Sequence, residues 1–318
     1  MGSSCSYCGC NNKEENSGEE VLIKNETFEK LKSLEKINRN LHNQATKIQA
    51  VWRGYRQRKH SLPQIKHLKN EEFGLKLRNL ESSQSLKLEN GAVYTGDLLD
   101  GEREGWGVQE WPDGAKYEGE WKSGRAQGQG KFWHVDGDTY EGSWVGDKAN
   151  GKGVYLHYSG AKYEGEWQKD YQQGFGVETW SDGSIYKGFY CKGKKHGFGV
   201  YYWVDGSFYS GEWFHNKIEG KGVCRWMDGR KYNGEWVSNS MHGKGVYTWK
   251  DGRRYEGDYK LDKKHGKGTY IWSDGKKYEG QWKNGKMHGE GRVLYTDGRV
   301  KQGIWREGKK VKDLPPSV

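Results

Sequence analysis

Tyrosine recurs at Tyr94, Tyr117, Tyr140, Tyr163, Tyr186, Tyr209, Tyr232, Tyr255 and Tyr278, nine positions separated by an unbroken interval of 23 residues. A fixed period of that size marks a chain built from stacked copies of one small unit. Glycine follows each tyrosine two residues on, from Gly96 to Gly280. Two further on stands an aromatic (Trp121, Trp144, Trp167, Tyr190, Trp213, Trp236, Tyr259 and Trp282), with Leu98 as the exception in the first unit. A Gly-x-Gly pair comes next, as at Gly128/Gly130 and Gly243/Gly245, and then an Asp-Gly, as at Asp182-Gly183. Ser159 replaces the aspartate once, and Lys301 stands where a tenth tyrosine would fall, although Gly303 and Trp305 continue the pattern.

Tyr-x-Gly-x-Trp has period two, so its three marked side chains share one face of a β-strand and the residues between them, such as Glu118 and Glu120, share the other. The glycine leaves room for neighbouring rings, and Asp-Gly supplies the positive φ of a tight hairpin turn. Each unit is then a β-hairpin, apolar on one face and too small to stand alone, and stacking buries the aromatic columns. Composition agrees: 49 glycines and 14% aromatics leave too few aliphatic residues for an ordinary core, while each buried ring contributes roughly 150–250 Å² of apolar surface.

The pattern resembles the MORN (membrane occupation and recognition nexus) repeat family over about residues 92–306, as nine full repeats and a degenerate tenth. The resemblance implies a mostly β fold, an elongated single-layer antiparallel sheet of stacked hairpins with a groove along it. Eighteen strands at ~4.8 Å spacing would make it roughly 85 Å long. Its aromatic face invites two readings. Tyr117, Trp121, Tyr140, Trp144, Tyr163, Trp167, Tyr186, Tyr209, Trp213, Tyr232, Trp236, Tyr255, Tyr278 and Trp282 can pack the sheet, and they can also line a groove for a helix or peptide. Basic residues alternate with glutamates along the sheet, which argues against nucleic acid as the ligand.

No catalytic constellation is visible, and no small-molecule substrate or cofactor is implied. The Gly-x-Gly pairs open no helix and are not followed by Gly-Lys-Ser/Thr, and neither kinase motifs nor a Gly-x-Ser-x-Gly elbow occur. His196, His242, His265 and His288 share one repeat position, but equivalent atoms in successive hairpins lie about 10 Å apart, too far for a shared metal with ~2.1 Å bonds. Some relatives follow their repeats with a phosphatidylinositol phosphate kinase or methyltransferase domain; here Lys309–Val318 leaves no room for one. The chain therefore reads as a non-enzyme.

Between Thr27 and His60, apolar residues at Leu31, Leu34, Ile37, Leu41, Ala45, Ile48, Trp52 and Tyr55 recur in steps of three and four, which predicts one long amphipathic helix ended by Pro63. From Lys36 to Lys69 there are nine Lys or Arg and no carboxylate, a run that needs an acidic partner. Inside it, Ile48-Gln49-Ala50-Val51-Trp52-Arg53-Gly54-Tyr55-Arg56-Gln57-Arg58 resembles the IQ motif at Ile48, Gln49, Arg53, Gly54 and Arg58. The resemblance implies binding of calmodulin or a calmodulin-like EF-hand protein. Ile48, Trp52 and Tyr55 would enter an apolar groove while the arginines meet acidic side chains. A basic helix lying on a membrane is the competing reading.

Met1-Gly2-Ser3-Ser4-Cys5-Ser6 fits N-myristoylation at Gly2, and Cys5, Cys8 and Cys10 could carry the palmitoyl chains that stable anchoring needs. A metal half-site and an unmodified tail are the alternatives. No signal peptide or apolar stretch of spanning length is present, so the expected location is the cytoplasmic face of a membrane.

These features divide the chain into an acylated N-terminus (1–25), the IQ helix (26–62), a linker whose Leu86 and Leu88 suggest a capping strand (63–91), the repeat array (92–308) and a tail (309–318). The expected function is a scaffold that joins a calmodulin-like protein to a cytoskeletal or signalling partner at a membrane. A structural part of a ciliary radial-spoke head and a regulator of a phosphatidylinositol phosphate kinase are the alternatives.

Overall fold

The structure, a computed structural model, describes residues 80–315. The IQ helix, Gly2 and the N-terminal cysteines lie outside the described residues.

Within 80–315 the chain forms one antiparallel sheet of 21 strands, from β1 (Leu80–Lys87) to β21 (Lys309–Leu314). Each strand pairs with the strand before it and the strand after it, so the sheet is an uninterrupted meander. Eighteen strands account for nine hairpins; the other three are β1, β20 (Val300–Arg306) and β21. Residues 309–314, expected as a tail, thus close the sheet by pairing with β20. At the opposite end Leu86 of β1 lies across from Tyr94 and packs on the first aromatic cluster.

Every repeat alternates a seven-residue strand with a nine-residue one, as in β4 (Lys116–Lys122) and β5 (Arg125–Trp133). Two different turns join them. The tight turn is Ser123-Gly124, with φ of 48° and 73°, the two positive values that a type I′ hairpin requires. Its equivalents include Lys169-Asp170, His215-Asn216 and Leu261-Asp262. The repeat's Asp-Gly pair, as at Asp113-Gly114, does not make this turn, contrary to the sequence expectation, although in the first unit a different Asp-Gly, Asp100-Gly101, does. The repeat's pair lies in the five-residue loop between repeats, where only the glycine has positive φ (Gly114, 94°) and Asp113 accepts a hydrogen bond from the Ala115 amide at 3.0 Å. The aspartate serves as a side-chain acceptor within the loop, so it keeps negative φ.

Each hairpin carries a bulge. In β4–β5 the register jumps between Gly119 and Trp121, so Glu120 on one strand is matched against Gln127, Gly128 and Gln129 on the other. The tyrosine hydroxyl closes this irregularity, donating to the carbonyl of the residue three further on: Tyr117 to Glu120 at 3.0 Å, Tyr186 to Phe189 at 3.1 Å, and likewise in all nine repeats. From the other face the Glu120 carboxylate accepts the Gln129 amide at 3.0 Å, as Glu212 accepts Lys221 and Asp258 accepts Lys267. A bulge that would leave backbone groups unpaired is satisfied from both sides.

Candidate interaction surfaces of the repeat sheet

The tyrosines are sealed. All nine are 3% exposed or less, and Trp121, Trp213, Trp236 and Trp282 are also buried, with Trp144 and Trp167 half-buried. Each tyrosine ring lies over the paired glycines of its hairpin: a methyl group placed on Gly153 would fall 2.5 Å from Tyr140 Cε2 and Cζ. From Tyr117 onward each ring also meets the large aromatic of its own repeat and that of the next edge-on, and Tyr94 meets that of the next. Tyr117 contacts Trp121 at 5.0 Å and Trp144 at 5.2 Å, and the chain of contacts runs unbroken from Tyr94 to Trp305. Such contacts stabilise by about 0.5–1.5 kcal/mol beyond area burial. Indole nitrogens tie the same column to the preceding repeat, Trp121 Nε1 to the Gly107 carbonyl at 3.1 Å and Trp236 Nε1 to Gly222 at 3.2 Å.

These rings therefore hold the sheet together. A partner laid on this face meets a second aromatic band beside them, formed by Phe132, Tyr155, Tyr201, Tyr247 and Tyr270 with Trp180, Trp203, Trp226, Trp249 and Trp272. Tyr247 and Tyr270 are buried, Trp203 is exposed, and the other members are half-buried. Neighbouring rings touch, Tyr247 with Trp249 at 4.5 Å and Tyr201 with Trp203 at 4.9 Å. The sequence reading missed this band, although the alternation carries it: Gly243, Gly245, Tyr247 and Trp249 are spaced by two and so share a face.

Cations stand over the band. Arg230 lies 5.5 Å from the Trp226 ring, Arg253 5.3 Å from Trp249, and Lys276 4.3 Å from Trp272. Arg230 and Arg253 are each held by the aspartate two residues earlier, at 2.6 and 2.7 Å. Two lysines sit deeper. Lys195 Nζ lies 4.6 Å from Trp180 and pairs with Glu178 at 3.0 Å. Lys264 Nζ is ringed by Tyr270 (4.4 Å), Trp282 (4.9 Å), Trp249 (5.1 Å) and Tyr255 (5.2 Å), and burial, aided by the nearby Arg253, lowers its pKa to about 8.

The opposite face alternates charged residues with a valine row, Val154, Val177, Val200, Val223 and Val246, and carries Phe175 against Phe189 at 5.8 Å. Three members of the histidine column, His196, His242 and His288, each hold a buried Nδ1 without a hydrogen-bond partner. Among the described residues no three His, Cys, Asp or Glu side chains gather as metal ligands would.

The MORN repeat family matches residues 94–116, 117–139, 140–162, 163–185, 186–208, 209–229, 232–253, 255–277 and 278–298, and the IQ calmodulin-binding motif matches residues 42–62. No curated protein matches the chain. Among solved structures, the TCP10 domain of Danio rerio CPAP in complex with a peptide of Danio rerio STIL is 14% identical, with a TM-score of 0.41, and the match covers 73% of this chain and 99% of that one. The TCP domain of SAS-4 (dCPAP) of Drosophila melanogaster, in complex with a proline-rich motif of Ana2 (dSTIL), is 10% identical, with a TM-score of 0.31 over 61% of this chain and 96% of that one. Likenesses of this size carry nothing about function. The nine repeat matches cover more than half of the sequence, and the chain belongs to the MORN repeat family.

Proposed function

We propose that this protein is a non-catalytic adaptor that joins a calmodulin-type EF-hand protein to a second protein. The IQ match at residues 42–62, in the same chain as the repeat sheet, is the observation that carries the reading. An IQ helix offers Ile48, Trp52 and Tyr55 to an apolar groove and Arg53, Arg56 and Arg58 to acidic side chains. The repeat sheet supplies the other half. Its second aromatic band, with Arg230, Arg253 and Lys276 over the rings, has the aromatic and cationic character of a peptide-binding surface. The partner there is a helical or extended segment of a cytoskeletal or signalling protein.

The membrane belongs to the same proposal. Acyl chains on Gly2 and on one or more of Cys5, Cys8 and Cys10 would hold the chain at a cytoplasmic leaflet, with the basic run from Lys36 to Lys69 adding attraction to anionic lipid.

Calorimetric titration of the full chain with calmodulin, with and without calcium, tests the first half. Binding that disappears in an Ile48→Glu, Arg53→Glu variant supports the adaptor; equal binding by that variant, or none by either chain, rejects it. Intact mass of the protein from its native cells tests the second half. An N-terminus without acyl groups rejects the anchor and leaves the calmodulin reading in place.

A further inference from the structure

Repeats two to nine place a large aromatic directly across the hairpin from a smaller side chain. The pairs are Trp121 with Ala126, Trp144 with Ala149, Trp167 with Gln172, Trp213 with Ile218, Trp236 with Met241 and Trp282 with Met287. Two repeats depart together at both positions: Tyr190 faces Lys195, and Tyr259 faces Lys264. The departures are coupled, since tyrosine replaces tryptophan only where lysine replaces an uncharged residue.

In the first of them the reason is visible. Glu178, on the neighbouring strand, accepts the Tyr190 hydroxyl at 2.7 Å and the Lys195 ammonium at 3.0 Å. Tyrosine and lysine form a two-donor fork, and a carboxylate closes it. The second fork lies 69 residues on, three repeats later, within the same set of rings, since Trp249, Tyr255 and Tyr270 correspond to Trp180, Tyr186 and Tyr201. The residue corresponding to Glu178, however, is Tyr247. Among the described residues no carboxylate pairs with Lys264 and no acceptor takes the Tyr259 hydroxyl. A half-buried ammonium is costly without an anion, and rings around it offset only part of that cost.

We infer that the Tyr259–Lys264 fork takes its carboxylate from another molecule: an aspartate or glutamate side chain of an acidic peptide segment laid across the second aromatic band at Trp249 and Tyr270. The occupant is an acidic peptide because the surface is cationic there. Lys264 and Lys276 form no ion pair among the described residues, while Arg230 and Arg253 spend theirs on loop aspartates. Lys264 is the anchor of the site and Tyr259 its second donor. The inference rests on the reading of this face as a peptide surface and names the chemistry the peptide must carry.

The test uses the full chain and two synthetic peptides, one alternating glutamate with leucine and one alternating glutamine with leucine, followed by tryptophan fluorescence. The glutamate peptide is expected to bind about tenfold more tightly, the effect of one charge-assisted hydrogen-bonded contact. Lys264→Met restores the residue type of Met241 and Met287 and should erase the difference while leaving the glutamine peptide unaffected. Lys195→Met should leave it intact. The basic run at Lys36–Lys69 also attracts acid, and the Lys264→Met comparison separates that contribution. Tyr247→Glu would supply the missing carboxylate within the chain and should abolish the preference as well. Equal affinity for the two peptides, or a preference unchanged by Lys264→Met, overturns the carboxylate site and leaves the peptide surface standing. Failure of both peptides to bind overturns the surface along with it. A preference that emerges only after Glu14, Glu15, Glu19 and Glu20 are changed to glutamine places the chain's own acidic segment in the fork, and that also overturns the inference.

Discussion

The Tyr209 hydroxyl donates to the Glu212 carbonyl, 3.0 Å away, at the point where the hairpin register breaks. The conserved spacing of the nine tyrosines within this chain thus serves two purposes, because the ring fills the space over the glycines while the hydroxyl pairs a carbonyl that the bulge displaces. Tyr209→Phe keeps the ring and removes the donor. Its expected cost is about 1–3 kcal/mol, that of a buried acceptor left unpaired, read as a lower denaturant midpoint with an unchanged slope. Tyr171→Phe, at an exposed ring, should be neutral. Equal effects at the two positions would remove the hydroxyl from the account.

The glycines separate into two kinds that a single substitution tells apart. A methyl group on Gly222 would lie 2.5 Å from Tyr209 Cε2 and Cζ, with nowhere for the ring to go. Gly222→Ala should cost about 3 kcal/mol or more, the upper range of overpacking. Gly252, with φ of 88°, faces open space, so Gly252→Ala meets only backbone strain, about 1–2 kcal/mol. Thermal unfolding of the two variants should rank them in that order, and the reverse ranking would mean that turn geometry, not ring packing, dictates the glycine pattern.

How much of this was legible beforehand follows from what periodicity can encode. The strand positions of Tyr117, Gly119 and Trp121 were readable because a period of two fixes the face, and a period of 23 fixes the stacking. The closing role of Lys309–Leu314 was not readable, since that strand lacks the repeat pattern and gains its place only from the open edge of β20. The tight turn was misplaced because Asp-Gly is a strong hairpin signal in isolation, whereas Lys169-Asp170 and Leu261-Asp262 adopt positive φ only under the constraint of the flanking strands. Of the two readings of the tyrosine column, packing is the one that the burial of its rings displays. Tyr and Trp look like ligand-binding residues in sequence, and burial of Tyr232 beneath Trp236 and Tyr259 is a property of the stack. The IQ motif was legible from its own residues and needed no tertiary context.

Burial also ties the tyrosine column to alkaline pH. Burial, with nearby carboxylates in some repeats, raises all nine phenols above their ordinary 10.0, Tyr94 and Tyr278 to about 12. Above pH 10 the unfolded chain gives up phenol protons that the folded chain retains, so the folded state binds more protons and stability falls as pH rises. The loss should begin near pH 10 and steepen toward 12, with tyrosinate absorbance of the buried rings appearing only as the sheet unfolds. Ionisation of a column ring such as Tyr209 near pH 10, read ring by ring from site-resolved tyrosine NMR signals while the sheet signal in circular dichroism is intact, would contradict the sealed column.

Lys264 runs the other way, and over a different range. Its folded pKa, about 8, lies below the ordinary 10.5, so between these values the unfolded chain holds the proton and the folded chain does not. The unfolded state then binds more protons, and stability rises with pH across that window. Below pH 8 the amine is charged in both states, and the folded chain bears the full cost of burying it. Solvent reaching the half-buried amine reduces that cost to on the order of 1–2 kcal/mol. Lys264→Met should therefore be the more stable protein below pH 8, by that amount, and its advantage should shrink as pH rises from 8 toward 10, where tyrosine ionisation begins to destabilise both chains. Denaturant titrations of the two proteins at pH 7 and pH 9.5 measure the difference. An advantage that stays constant between those values would mean that Lys264 keeps its proton in the fold, and the charge beside Tyr259 would then be present throughout the range.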